Sequence, residues 1–138
     1  MPVTSTANVE WKGPIKEGSG QVHFGTFTGE FTRATRFETG GGTNPEQLIA
    51  AAHASCYSMQ LSGLLTGDGT PPTSIKTKAS VTVEAGVGIT KILLETEGVV
   101  PGTDAAKFEA AAAKAKEVCP VSRALAGVKD ISVKATLK

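Results

Sequence analysis

The chain has 138 residues, 40% of them hydrophobic and 20% charged, with a formal net charge of +1. One globular domain is the expectation at this length, and it is large enough to bury a core without covalent staples. A charge so close to balance gives no electrostatic reason to expect nucleic-acid or membrane-surface binding.

The segment "MPVTSTANVEWKG" has neither a basic region nor an apolar core. It does not read as a secretory signal, and a cytoplasmic location is the default expectation. Short strand-like runs punctuated by glycine follow: "TANVEW", "GQVHFGTF" and "EFTRATRFE". Together they predict N-terminal antiparallel strands over 1–42. "TGGGT" at 39–43 is a flexible break.

A central helix is predicted over 44–66. Asn44 suits the N-cap, Pro45 the first helical position, and Gln47 the capping-box position. Glu46 suits the positive end of the helix dipole. Gly67-Asp68-Gly69 ends the element.

A long hairpin is predicted over 73–100. In "TSIKTKASVTVEA", Ile75, Thr77, Ala79, Val81 and Val83 share one face, while Lys76, Lys78 and Glu84 share the other. "ITKILLETEGVV" is its antiparallel partner, turned near "AGVG". Residues 103–138 complete the chain with an alanine-rich helix from Asp104, a break at Cys119-Pro120, a short helix "PVSRALAG" and a closing strand "DISVKATL". Runs of strands separated by isolated helices point to an antiparallel α+β fold. No glycine-rich phosphate loop follows a strand.

From Gln47 to Gly67 the central helix has no charged residue. A membrane span is rejected, because Ser55, Ser58, Gln60, Ser62, His53 and Gly63 interrupt the apolar character and no basic flank supports it. A helix apolar on most sides belongs in a core. A chain this short has little protein to wrap around a rod of about 30 Å, so burial against a second subunit stands beside burial within one chain.

In a cytosolic protein disulfides are rarely structural, so Cys56 and Cys119 are either redox groups or small core residues. The residues leave both readings open for Cys56. Cys119 stands before proline at a helix start, where the dipole favours thiolate; packing is its other reading. A reactive thiolate needs a cation, and Arg36 and Arg33 are the nearest in chain order, with Glu46 and Glu38 as acids to orient them. His53 and Cys56 could form a hydrolase pair. Neighbours three apart on one helix rarely converge on a substrate, so a packed, hydrogen-bonded histidine is the favoured reading. Trp11 and Tyr57 read as packing residues. Without a Cys-x-x-Cys pair, and with His23 in a distant strand-like segment, no zinc site is expected.

These pieces, "TRFE" (35–38), "TNPEQLIAAAHASCYSM" (43–59), "PTSI" (72–75), "ITKI" (89–92), "VPG" (100–102) and "CPVS" (119–122), run in order over nearly the whole chain. Together they resemble the OsmC/Ohr family of osmotically inducible and organic hydroperoxide resistance proteins. "TRFE" just before the glycine segment looks like the OsmC branch. Gln47 stands where many relatives carry a second glutamate, which leaves Glu46 intact.

The resemblance implies a thiol-dependent peroxidase of oxidative or osmotic stress defence, acting on organic hydroperoxides and more weakly on hydrogen peroxide. By the same resemblance Cys56 is the peroxidatic cysteine and Cys119 the resolving one. Arg36 holds the thiolate and polarises the peroxide, and Glu46 pairs with Arg36. No metal, flavin or haem is implied, only an external dithiol, with lipoyl dithiols or a lipoylated protein as the family-level reductant. The implied fold is an intertwined α+β homodimer, with curved antiparallel sheets around central helices and active sites at the subunit interface. Two other readings use the same residues: a non-catalytic redox sensor or stress-protective protein, and a Cys56–His53 hydrolase.

Helix geometry sharpens the resemblance. Glu46 and Cys56 are ten residues apart on one helix, so their backbones lie about 15 Å apart. Either a second subunit supplies Glu46 or Arg36 bridges the gap; the partner subunit is the hypothesis.

Overall fold

The computed structural model describes residues 1–38 and 41–138. The glycine break expected at 39–43 falls partly outside the described residues. The chain forms two compact units, Met1–Leu48 and Ile49–Lys138.

In the first unit, β1 (Asn8–Lys12), β2 (Ser19–Phe24) and β3 (Phe27–Phe31) form an antiparallel sheet in that order. The run expected at 20–27 is two strands, because Gly25 takes φ 54°, a left-handed turn conformation open to glycine. The Trp11 and Phe31 rings pack with centroids 5.7 Å apart.

The strand-like reading of 30–38 is corrected. β3 ends at Phe31, and α1 (Arg33–Phe37) is a short helix. Its cause is a reciprocal cap. The Thr35 N–H donates to Thr32 Oγ1 at 3.1 Å, and the Thr32 N–H donates to Thr35 Oγ1 at 2.8 Å. These two bonds satisfy donors that a strand would have to place elsewhere, and they override the β-propensity of threonine and phenylalanine.

α2 (Pro45–Gly67) starts as its sequence predicts, with the Gln47 N–H donating to Asn44 Oδ1 at 2.7 Å. The Gln47 side chain does not close a capping box; it accepts from Thr43 Oγ1 at 2.9 Å. The Asn44 amide instead donates to the Thr35 carbonyl at 2.9 Å, which fixes α1 against the start of α2.

In the second unit, β4 (Ser74–Glu84) and β5 (Gly88–Val99) form the long antiparallel hairpin, with a bulge between Thr82 and Val83. α3 (Ala105–Val118) is capped by Asp104, which accepts from the Lys107 N–H at 2.9 Å. α4 (Pro120–Ala124) and β6 (Asp130–Leu137) complete the chain. β6 pairs with β5 in parallel, not antiparallel as the sequence suggested. The helices α3 and α4 are the reason: they return the chain to the end where β5 began, the crossover that parallel pairing requires. The architecture remains mixed α+β.

One core joins α2, the sheet and α3. Tyr57, Leu61 and Leu65 repeat at helical spacing on α2 and pack with Leu94, Val100, Phe108, Ala112, Ala115 and Cys119. The Tyr57 hydroxyl donates to the Ala112 carbonyl at 3.0 Å. The opposite face of α2, with Ala51, Ser55, Met59 and Gly63, is exposed and uncharged; Met59 is 77% exposed. Among the described residues no helix is long and apolar enough to cross a membrane.

Candidate thiol site

Cys119 stands at the junction of α3 and α4, a position created by the proline that follows it. It is fully buried, and Cys56 on α2 packs against the same core cluster. Both cysteines are free thiols. Cys119 makes no capping hydrogen bond of ordinary geometry to α4. Burial pushes its thiol up. The Ser122 N–H, the Cys56 thiol, the Ser122 hydroxyl and the Val121 N–H stabilise the thiolate more strongly, so its pKa lies below the usual thiol value. For Cys56 the balance is reversed. Burial pushes its thiol up, the Val121 N–H pulls it down, and Cys119 pushes it up again, for a net increase.

His53 lies one helical turn before Cys56, on the buried face of α2. Its Nε2 is 2.6 Å from Ser122 Oγ, while Nδ1 is buried and has no hydrogen-bond partner among the described residues. Neither ring nitrogen therefore engages Cys56, so the hydrogen bond a Cys56–His53 pair would use is not formed. Burial lowers the His53 pKa and favours the neutral ring.

In the first unit Arg36 on α1 meets Glu46 in the first turn of α2. Arg36 Nε donates to Glu46 Oε1 and Nη2 to Oε2, each at 2.9 Å. Glu46 is buried, whereas Arg36 is partly exposed and lies over the Phe37 ring at 5.2 Å. The hydrogen bond to Glu46 raises the Arg36 pKa, against the cost of desolvation, so the guanidinium is a fixed cation. The other charged candidates, Arg33 and Glu38, face each other at 3.9 Å on the surface.

The four expected site residues thus form two pairs, Cys56 with Cys119 and Arg36 with Glu46. The sequence alone assigns Ser122 no role. Its one legible signal is its place three residues after Cys119 in "CPVS", on the first turn of a helix. Among the described residues no cluster of three or more His, Cys, Asp or Glu side chains could hold a metal ion.

The chain is 47% identical over 133 residues to peroxiredoxin OsmC of Escherichia coli, covering 91% of this chain and 92% of that protein. It is 34% identical over 100 residues to the organic hydroperoxide resistance protein of Xanthomonas axonopodis pv. citri, covering 68% of this chain and 67% of the relative. The crystal structure of an OsmC-like protein from Mycoplasma pneumoniae matches with a TM-score of 0.78, covering 99% of both chains; at 16% identity that likeness concerns the fold. The sequence profile described as OsmC-like protein matches residues 38–134. With most of its length inside that profile and nearly all of it aligned to a close relative, the chain belongs to the OsmC-like protein family.

Proposed function

We propose that this protein is a thiol-dependent peroxidase that reduces organic hydroperoxides to alcohols, and hydrogen peroxide more weakly. The observation that carries the reading is the packing of one free thiol, the partly buried Cys56, against the buried cluster that holds the other, Cys119. The names of the relatives, a peroxiredoxin and a hydroperoxide resistance protein, support it. The Cys56 thiolate attacks the peroxide oxygen distal to the organic group. The O–O bond breaks, the alkoxide takes a proton and leaves as alcohol, and Cys56 becomes a sulfenic acid. Cys119 then condenses with it, releasing water and forming a Cys56–Cys119 disulfide. An external dithiol of lipoyl type restores both thiols by exchange.

Cys56 needs help to ionise. Within its own unit burial and Cys119 leave its pKa raised, so a thiolate there calls for a nearby cation. Arg36, preset by Glu46, is suited to that task. Glu46 and Cys56 are held about 15 Å apart by one continuous helix. The reading therefore assigns this role to the partner's Arg36 and the partner's Glu46 in a homodimer. The exposed, uncharged face of α2 around Met59 is the surface such a dimer would bury.

The decisive experiment is hydroperoxide consumption with cumene hydroperoxide or hydrogen peroxide, and dihydrolipoamide or thioredoxin as the donor. The reading expects turnover with cumene hydroperoxide and dihydrolipoamide that vanishes in Cys56→Ser. Full steady-state turnover in Cys56→Ser would end it. A single oxidation without turnover would favour a redox sensor.

A further inference from the structure

The contact between His53 and Ser122 has no part in the peroxide chemistry above, yet it is the short buried hydrogen bond beside the thiols. Nε2 lies 2.6 Å from Oγ, with His53 fully buried and Ser122 7% exposed. A polar pair in such a place is costly unless each group is satisfied, and His53 Nδ1 is not. Ser122 is on the first turn of α4, three residues from Cys119, and its hydroxyl acts on that thiol as a stabilising donor. The order in space is thus imidazole, hydroxyl, sulfur.

We propose that Ser122 and His53 form a proton relay that serves Cys119 when it attacks the Cys56 sulfenic acid. The proposal rests on the peroxidase reading above. The neutral ring starts with its lone pair on Nε2 and its proton on Nδ1. The Cys119 thiol passes its proton to Ser122 Oγ as Ser122 passes its own to His53 Nε2, leaving thiolate and imidazolium. The Cys119 sulfur then displaces hydroxide from the Cys56 sulfenic acid, so that an S–S bond forms and an S–O bond breaks. The hydroxide takes the proton back through Ser122, and His53 is neutral again. The sum is thiol plus sulfenic acid giving disulfide plus water, with no outside acid or base.

The unpartnered Nδ1 gives the relay its closed end. It has neither a protein partner among the described residues nor exposed surface. A proton stored on the ring leaves by the path it entered. Ser122 stands three residues after Cys119 and its hydroxyl favours the thiolate, whereas His53 acts through Ser122 as a positioning residue. Ser122 also lines a surface cleft with Lys116, Glu117, Arg123 and Lys129, side chains of both signs. From α2, Cys119 is faced by Cys56 and Tyr57, and burial followed by the charge of Cys119 raises the Tyr57 phenol pKa, so the phenol stays neutral.

The test begins in a Cys56→Ser protein, where Cys119 is the sole cysteine of the two in the chain. Its thiolate is followed against pH by ultraviolet absorbance. Ser122→Ala should raise the midpoint by about one pH unit, and Ser122→Thr should restore it. A parental midpoint in Ser122→Ala overturns the proposal. The second arm keeps both cysteines and follows disulfide closure after one equivalent of cumene hydroperoxide. His53→Gln can still hold the Ser122 hydroxyl but cannot store a proton. It should slow closure at least about tenfold and leave more Cys56 as sulfinic acid. Closure at the parental rate in His53→Gln also overturns the proposal. The titration arm uses no hydroperoxide. A protein that passes both arms with one equivalent of hydroperoxide but never turns over with a dithiol would support the relay and reject the peroxidase reading alone.

Discussion

Arg36 grips Glu46 with two parallel hydrogen bonds, Nε to Oε1 and Nη2 to Oε2, each 2.9 Å long. The fork of a guanidinium matches a carboxylate in a way an ammonium cannot. The carboxylate is buried and the guanidinium is partly open, so the pair is a cation held in a fixed direction. Glu46→Gln keeps the size but loses the charge. We expect it to lower kcat/KM for cumene hydroperoxide by about tenfold to a hundredfold. Arg36→Lys should fall in the same range despite retaining the charge. Steady-state assays on folded variants check this; parental kcat/KM in Glu46→Gln would detach the pair from catalysis.

The two cysteines should separate by mass. Cys119→Ser is expected to release one equivalent of alcohol as Cys56 becomes a sulfenic acid and a second as excess peroxide carries it on to sulfinic acid, and then to stop. Cys56→Ser should release none. Intact-protein mass spectrometry reads both, and a sulfinic acid found on Cys119 instead of Cys56 would reverse the assigned roles.

Burial of His53 also makes stability depend on pH. Its folded pKa is lowered from the usual 6.5, so at mild acidity the unfolded chain binds a proton that the folded chain does not. A depressed pKa contributes stability that is fully present above the unfolded value and is lost as pH falls from there towards the folded value. Urea unfolding between about pH 7 and about pH 5 should therefore show falling stability, less steeply in His53→Gln. Equal slopes in the two proteins would remove His53 as the source.

Gly98 on β5 is packed under the Phe108 ring. A Cβ added there would lie 2.5 Å from the ring, which is itself fully buried and unable to yield. Gly98→Ala should cost roughly 1–3 kcal/mol by overpacking. Phe108→Ala should cost about 3–5 kcal/mol by leaving a cavity. Both are read from denaturation midpoints, and a neutral Gly98→Ala would mean that α3 shifts freely against β5.

Met59 is at the centre of the exposed α2 face and is 77% exposed in the single chain. If a second subunit covers that face, Met59→Glu buries an unpaired charge and should shift a dimer towards monomer in sedimentation analysis. A parent protein that sediments as a monomer would refute the shared-site reading.

Much of this molecule is legible in one dimension because its signals are local. The start of α2 follows from Asn44 and Pro45, and the break between α3 and α4 from Cys119-Pro120. The β4–β5 hairpin follows from alternating residues and a glycine turn. The motif strings named a family, and with it the four residues now found as two pairs. Other features were settled by choices no local pattern records. Thr32 and Thr35 chose a cap over a strand, and both outcomes suit β-branched residues. The direction of β6 depended on where two helices returned the chain. The partner of His53 lies 69 residues away, and only the folding of α4 against α2 brought Ser122 to its ring. The sequence by itself determined which chemical groups the protein has and which helices and strands carry them. Tertiary structure decided which groups share a buried, low-dielectric setting, and it is there that a hydrogen bond or a charge acquires the strength to set a proton's position.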